Sequence, residues 1–102
     1  MDFAVIDAAR QALGLDAHAT LEEIRAAYKK LAAEWHPDRH AGSREAEDRF
    51  KQVTHAHDLL TEYCARYCFS FKEDDVRRTL MDPGVRAHLK RYYDDQYGSL
   101  DI

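Results

Sequence analysis

Apolar residues recur at helical spacing from the start of the chain. Phe3, Ile6, Ala9 and Leu13 stand three or four positions apart, one stripe of an α-helix, which predicts a helix over roughly residues 2–13. Gly14 follows, the residue that enters left-handed backbone without steric cost and so ends helices. Thr20, with Glu23 three residues later, makes a capping box and predicts a second helix start. Ile24, Ala27, Leu31 and Trp35 then form an apolar stripe with Tyr28 and Ala32 beside it, while Arg25, Lys29 and Lys30 fall on a different face. Pro37 disfavours helical geometry in the residue before it, so this helix ends by His36.

The segment HPDRHAGS, His36 to Ser43, reads as a loop whose Ser43 caps a third helix. From Arg44 onward Ala46, Phe50, Val53, His57 and Leu60 repeat at helical spacing. Two long helices joined by a short loop should pair antiparallel, with their stripes facing each other as the core. After Thr61 the pattern weakens. Tyr63, Cys64, Tyr67, Cys68, Phe69 and Phe71 are expected to form an aromatic cluster on the helix pair. Ser70 and Glu73 suggest another capping box and a short helix to about Leu80. Asp82 followed by Pro83 marks a last helix start, with Val85, Leu89, Tyr92 and Tyr93 on its apolar side and Gly98 at its end. The fold class expected is all-α.

Composition narrows the function. The 102 residues suit one domain, and 45% hydrophobic with 33% charged residues describes a soluble globular chain. The formal net charge of −4 argues against general nucleic-acid binding. No apolar run approaches the ~20 residues of a membrane span, and Met1 to Gly14 does not read as a secretion signal; a cytoplasmic location is expected. Cys64 and Cys68 are too few for a disulfide scaffold and read as reduced, buried thiols. A zinc site of His55, His57, Cys64 and Cys68 is disfavoured, because two histidines two apart on a helix point to nearly opposite sides and zinc needs convergent ligands. No nucleophile stands in a recognisable catalytic setting and no glycine-rich phosphate loop exists. The expectation is no enzyme, no metal and no cofactor.

The tripeptide His36-Pro37-Asp38 at the end of a basic amphipathic helix resembles the signature of the J-domain (DnaJ-like) family. Its surroundings resemble the family too: Leu13-Gly14 closing the first helix, TLEEIRAAYKKLAAEW over Thr20 to Trp35, the loop RHAGSREAEDRF, and RFKQVTHAHDLL as the third helix. The resemblance runs from about Ala8 to Thr61. It implies a J-domain over residues 1–68, an antiparallel helical hairpin with a short first helix. Residues 69–102 would be a C-terminal helical extension packed on or beside it.

The resemblance also implies a function: a co-chaperone that docks on a DnaK-type heat-shock chaperone and stimulates its ATP hydrolysis. Asp38 would engage an arginine of the chaperone, Pro37 would stiffen the turn, and His36 would hold the loop against the hairpin. Arg25, Lys29 and Lys30 would meet an acidic surface, with Tyr28 adding contact area. Lys51 would flank the loop and Arg39 would extend the positive edge. The chain departs from the family pattern in several places. Ala9 and Arg10 stand where a tyrosine pair is usual, so Phe3 and Ile6 are expected to fill the core. Glu34 occupies a position that is often lysine, and TEYCARYC over Thr61 to Cys68 replaces the segment common after the third helix. Without a Gly/Phe-rich linker, a repeated Cys-x-x-Cys module or a β-rich region, it reads as a minimal, specialised member. The alternative is a non-catalytic adaptor, using the hairpin as scaffold and the aromatic C-terminal segment to bind a partner or client protein.

Overall fold

The computed structural model describes residues 1–98, which form α-helices, a single 3-10 turn and no strand. In order these are α1 (Phe3–Ala12), α2 (Leu21–Glu34), the 3-10 turn (Pro37–Arg39), α3 (Arg44–Arg66), α4 (Glu73–Leu80) and α5 (Pro83–Tyr97). The chain is therefore all-α. It divides into two compact units, Met1–Tyr67 and the residues from Cys68 on. Among the described residues no helix is long and apolar enough to cross a membrane.

In the first unit, local signals place each helix end. α1 closes in a Schellman motif: Gly14 has φ 66°, its N–H donates to the Gln11 carbonyl, and the Leu15 N–H donates to the Arg10 carbonyl. The Arg10 guanidinium reinforces the turn by donating to the Leu15 carbonyl at 2.6 Å. α2 opens in a complete capping box, with the Glu23 N–H on Thr20 Oγ1 at 3.1 Å and the Thr20 N–H on Glu23 Oε1 at 3.0 Å. Ser43 caps α3 by accepting from the Ala46 N–H.

α3 is the central element, packing against both α1 and α2. The core joins Ala9 and Leu13, Ile24 of α2, and Val53, Ala56 and Leu60 of α3. Ile6, Leu15, Ala27, Tyr28, Leu31, Leu59 and Cys64 pack against this cluster. Side-chain partners reveal the direction of α3: Tyr28 meets His57, Trp35 meets Arg49, and His36 meets Phe50. From Tyr28 to the end of α2 at Trp35 and His36 the partners on α3 step back from His57 to Arg49 and Phe50, so the hairpin is antiparallel. No large side chain of the described residues is fully buried. Alanines at positions 9 and 56 let the helices approach closely instead.

Several expectations need correction. Phe3 does not fill the core but is 78% exposed, because it begins α1, nearly two turns ahead of the buried Ala9; Ile6 alone of the pair packs on the core. Trp35 does not continue the α2 stripe. It is the C-cap residue, half-buried at the helix end. α3 runs on to Arg66 despite the weaker pattern after Thr61, so Cys64 is held on the helix against the core while Cys68 lies beyond it and is exposed. Of the aromatic cluster expected around them, Tyr63 and Tyr67 at the end of the first unit are exposed rather than buried on it.

In the second unit α4 and α5 pack on each other. Asp82 caps α5, accepting from the Gly84 and Val85 N–H groups at 2.8 and 3.2 Å, with Pro83 in the first turn. The expected Ser70–Glu73 capping box is absent. Lys72 is the N-cap of α4, and Ser70 Oγ instead donates to Asp75 Oδ2 at 2.6 Å. Val76, Leu80 and Val85 are half-buried, while Met81, Leu89, Tyr92, Tyr93 and Tyr97 are exposed.

Two measurements check this account. Leu60→Ala should destabilise the first unit by about 2–5 kcal/mol, the cost of a buried leucine in a core that refills only partly, read from urea unfolding. The second concerns acid. The Thr20 N–H, then the Thr20 hydroxyl, hold the Glu23 carboxyl below its ordinary range, and the Arg10 guanidinium does the same for Asp7. A depressed folded-state value gives stability that is fully present above the unfolded-state range near ~4 and lost as pH falls through the folded value. The urea midpoint should therefore fall between pH 5 and pH 3, and fall less in Glu23→Gln, whose amide oxygen accepts the Thr20 N–H at every pH.

Candidate functional site

The segment after α2 is shaped by one proline. The residue before proline is pushed out of helical geometry, and His36 accordingly has φ −58° and ψ 137°. The Trp35 backbone N–H still donates back into α2, reaching the Leu31 carbonyl at 3.0 Å. Pro37 then starts the 3-10 turn, where its fixed φ fits and its missing N–H is not needed.

His36 caps that turn with its ring. Nδ1 accepts the Asp38 N–H at 3.1 Å, so the neutral ring carries its proton on Nε2. The ring also sets its edge against Phe50 of α3, at a centroid distance of 5.7 Å and 83° between planes. Together these contacts anchor the turn to the hairpin, and they leave the Asp38 carboxylate outside. Its side chain is 90% exposed, and His36 Nδ1 lies 3.6 Å from its Oδ2.

Arg39 and His40 turn back toward α2 rather than outward. The Arg39 guanidinium approaches the Ala33 carbonyl at 3.4 Å, and His40 Nε2 lies 2.8 Å from the Glu34 carbonyl. The His40 ring stacks with Trp35 at 5.5 Å, and the Arg49 guanidinium lies 5.2 Å from the Trp35 ring centre.

Along α2, Arg25, Tyr28 and Lys29 occupy i, i+3 and i+4 positions and make one stripe. Lys30 lies roughly 100° further round the helix and is not brought together with them. Tyr28 is half-buried because its ring stacks on His57 at 4.1 Å, and His57 Nδ1 lies 3.1 Å from Asp58 Oδ1. Arg25, Lys29 and Lys30 are exposed, and none of them joins an ion pair within the described residues. Lys51 is exposed on α3 directly after Phe50, the residue that receives His36.

The sequence did not single out Trp35, His40, Arg49, Phe50 and His57 as parts of this site. Phe50 and His57 did fall on the α3 stripe, which marks them as facing α2. Nothing in residue spacing signals that Arg49 and His40 would converge on Trp35. Among the described residues no three His, Cys, Asp or Glu side chains converge as metal ligands.

The first unit thus has three helices and a proline-fixed turn in the loop that joins the antiparallel helices α2 and α3. The family model of the DnaJ domain matches residues 11–68, more than half the chain, and the chain belongs to the DnaJ-domain family. Similar curated proteins include the chaperone protein DnaJ of a Wolbachia from Brugia malayi, 50% identical over 50 residues, covering 49% of this chain and 13% of that protein. The chaperone protein DnaJ of Thermotoga neapolitana is 55% identical over 51 residues, covering 49% of this chain and 14% of that protein. The chaperone protein DnaJ 2 of Corynebacterium efficiens is 39% identical over 75 residues, or 74% of this chain and 18% of that protein. The chain thus spans less than a fifth of the aligned relatives' length.

If the basic side chains of α2 serve contact rather than folding, removing them leaves the fold alone. Replacing Arg25, Lys29 or Lys30 singly by alanine should change unfolding free energy by no more than about 0.5 kcal/mol, measured by urea titration.

Proposed function

We propose that this chain is a co-chaperone that docks on a DnaK-type heat-shock chaperone through the His36–Asp38 turn and the basic side of α2, and stimulates ATP hydrolysis by that chaperone. The observation that carries the reading is the Asp38 carboxylate: exposed, projected from a turn that proline and histidine hold in shape, and, among the described residues, in no ion pair with a lysine or arginine. A carboxylate so presented is prepared for a charge-assisted hydrogen bond to an arginine of a partner. Membership of the DnaJ-domain family, with relatives named as chaperone proteins, supports the same reading.

In this reading each side chain has a distinct task. Asp38 makes the directional contact. Pro37 and His36 preset the turn, so less ordering entropy is lost on docking. Arg25 and Lys29, with Tyr28 between them, face an acidic surface of the chaperone, while Lys51 and Arg39 extend the positive rim around the turn. Lys30 meets the same acidic surface only at its margin. The chain hydrolyses no ATP itself. It binds one conformation of the chaperone better than another, and the coupling free energy is that difference. Its site of action would be the cytoplasm.

A second reading, a non-catalytic adaptor, draws on the exposed Phe71, Tyr92 and Tyr97, which would meet a partner or client protein. The two readings separate on Asp38, which an adaptor does not need.

Single-turnover ATP hydrolysis by a DnaK-type chaperone, with and without the chain, is the test. Stimulation should fall about 10- to 100-fold in Asp38→Asn, the worth of a hydrogen bond to a charged group. It should also weaken as salt screens the α2 charges. Absence of stimulation by the wild-type chain, with the chaperone of the same cell, would move the assignment to the adaptor.

A further inference from the structure

The turn has a second support, built from residues outside the docking set. The C-terminal carbonyls of an α-helix have no partner within the helix. At the end of α2 the Glu34 carbonyl finds one in His40 Nε2, at 2.8 Å. A carbonyl only accepts, so this ring nitrogen is the donor. The same ring stacks with Trp35 at 5.5 Å, and Arg49 of α3 lies against the Trp35 ring.

The backbone of His40 completes a closed loop. Its N–H donates to the Pro37 carbonyl at 3.2 Å, and its carbonyl accepts from the Ser43 N–H at 3.0 Å. The Arg39 N–H donates to the His36 carbonyl at 2.9 Å. The 3-10 turn is therefore tied at its far end to His40, and the His40 side chain is tied to the end of α2. With His40 released, the His36 ring and the longer Arg39 contact with the Ala33 carbonyl would be left to tie the turn to the hairpin.

We propose that His40 is a positioning residue for the docking turn: its imidazole, clasped between the Glu34 carbonyl and the Trp35 ring, sets where Asp38 points. His40 touches no partner in this account and acts through the turn. The proposal rests on the docking reading for its purpose, though not for its geometry.

The geometry is tested in the free, full-length chain by 15N relaxation. In the wild type the Asp38 amide should show the order parameter of rigid backbone, about 0.85, and in His40→Ala a flexible value below about 0.6. The chain has one tryptophan, so Trp35 emission reports the loss of the stack directly and should change in the same variant. In the chaperone assay, His40→Ala should raise the half-saturating concentration about 5- to 10-fold, the worth of one hydrogen bond and one ring stack. The maximal stimulated rate should stay unchanged, because Asp38 remains. His40→Gln, which keeps an N–H donor, should recover part of the affinity.

An Asp38 amide equally rigid in His40→Ala would overturn the proposal. So would a loosened turn that docks at the wild-type concentration. If wild type and Asp38→Asn are equally inert in the assay, the docking reading fails, and the relaxation comparison alone decides whether His40 positions the turn.

Discussion

Everything in the first unit depends on the apolar seam of α3. Val53, Ala56 and Leu60 join Ala9 and Leu13 on one hand and Ile24 of α2 on the other in a single core, and α3 packs against both α1 and α2. Burying that seam is the dominant favourable term in folding such a unit. It also sets the antiparallel register that brings Phe50 under His36 and Arg49 beside Trp35. The turn is built at one end of the hairpin by contacts that exist only when the seam has closed in that register.

Charge distribution separates surface that serves the fold from surface left for something else. Asp7 with Arg10, Glu62 with Arg66, Glu73 with Arg77, Asp75 with Arg78 and Lys90 with Asp94 are all local pairs three or four residues apart. Pairs of this kind add only a few tenths of a kcal/mol each, but they neutralise neighbouring charges. α2 follows a different rule. Glu22 and Glu23 sit in the first turn, where the helix dipole favours them, Glu34 closes the helix, and its bases stand with no acid four residues before them. A basic stripe and a carboxylate with no lysine or arginine partner among the described residues thus occur together in a chain whose net charge is negative.

Much of this was legible in the sequence, wherever the determining signal is local. The Thr20–Glu23 box, Gly14 after α1, Pro37 after α2 and Asp82–Pro83 before α5 each act through a hydrogen bond or a dihedral within a few residues, and each behaves as its chemistry requires. The tripeptide His36-Pro37-Asp38 was visible for the same reason. Misread features depend on what lies across space. Phe3 fits its stripe by spacing, yet it begins a helix whose buried part starts later. Ser70 had a suitable residue at the right distance, but its hydroxyl found the Asp75 carboxylate first. Trp35 looked like another core position, while the proline two residues on made it a helix end that collects His40 and Arg49. The aromatic run after Tyr63 has no clear helical spacing, and composition alone carries no information on burial.

The hydrogen bonds that shape the turn close within the turn and the end of α2, and Asp38 touches nothing in the core. Folding and docking are therefore governed by different residues. An Asp38 variant would pass cellular quality control as a well-folded protein, because its unfolded fraction is unchanged. It would accumulate to the normal level while lacking its contact. Should the second unit hold a client or partner, such a variant would occupy that molecule unproductively beside the intact protein, and in genetic terms its effect would be dominant. Lesions in the α3 seam would act oppositely: they would lower abundance, and one intact copy would mask them.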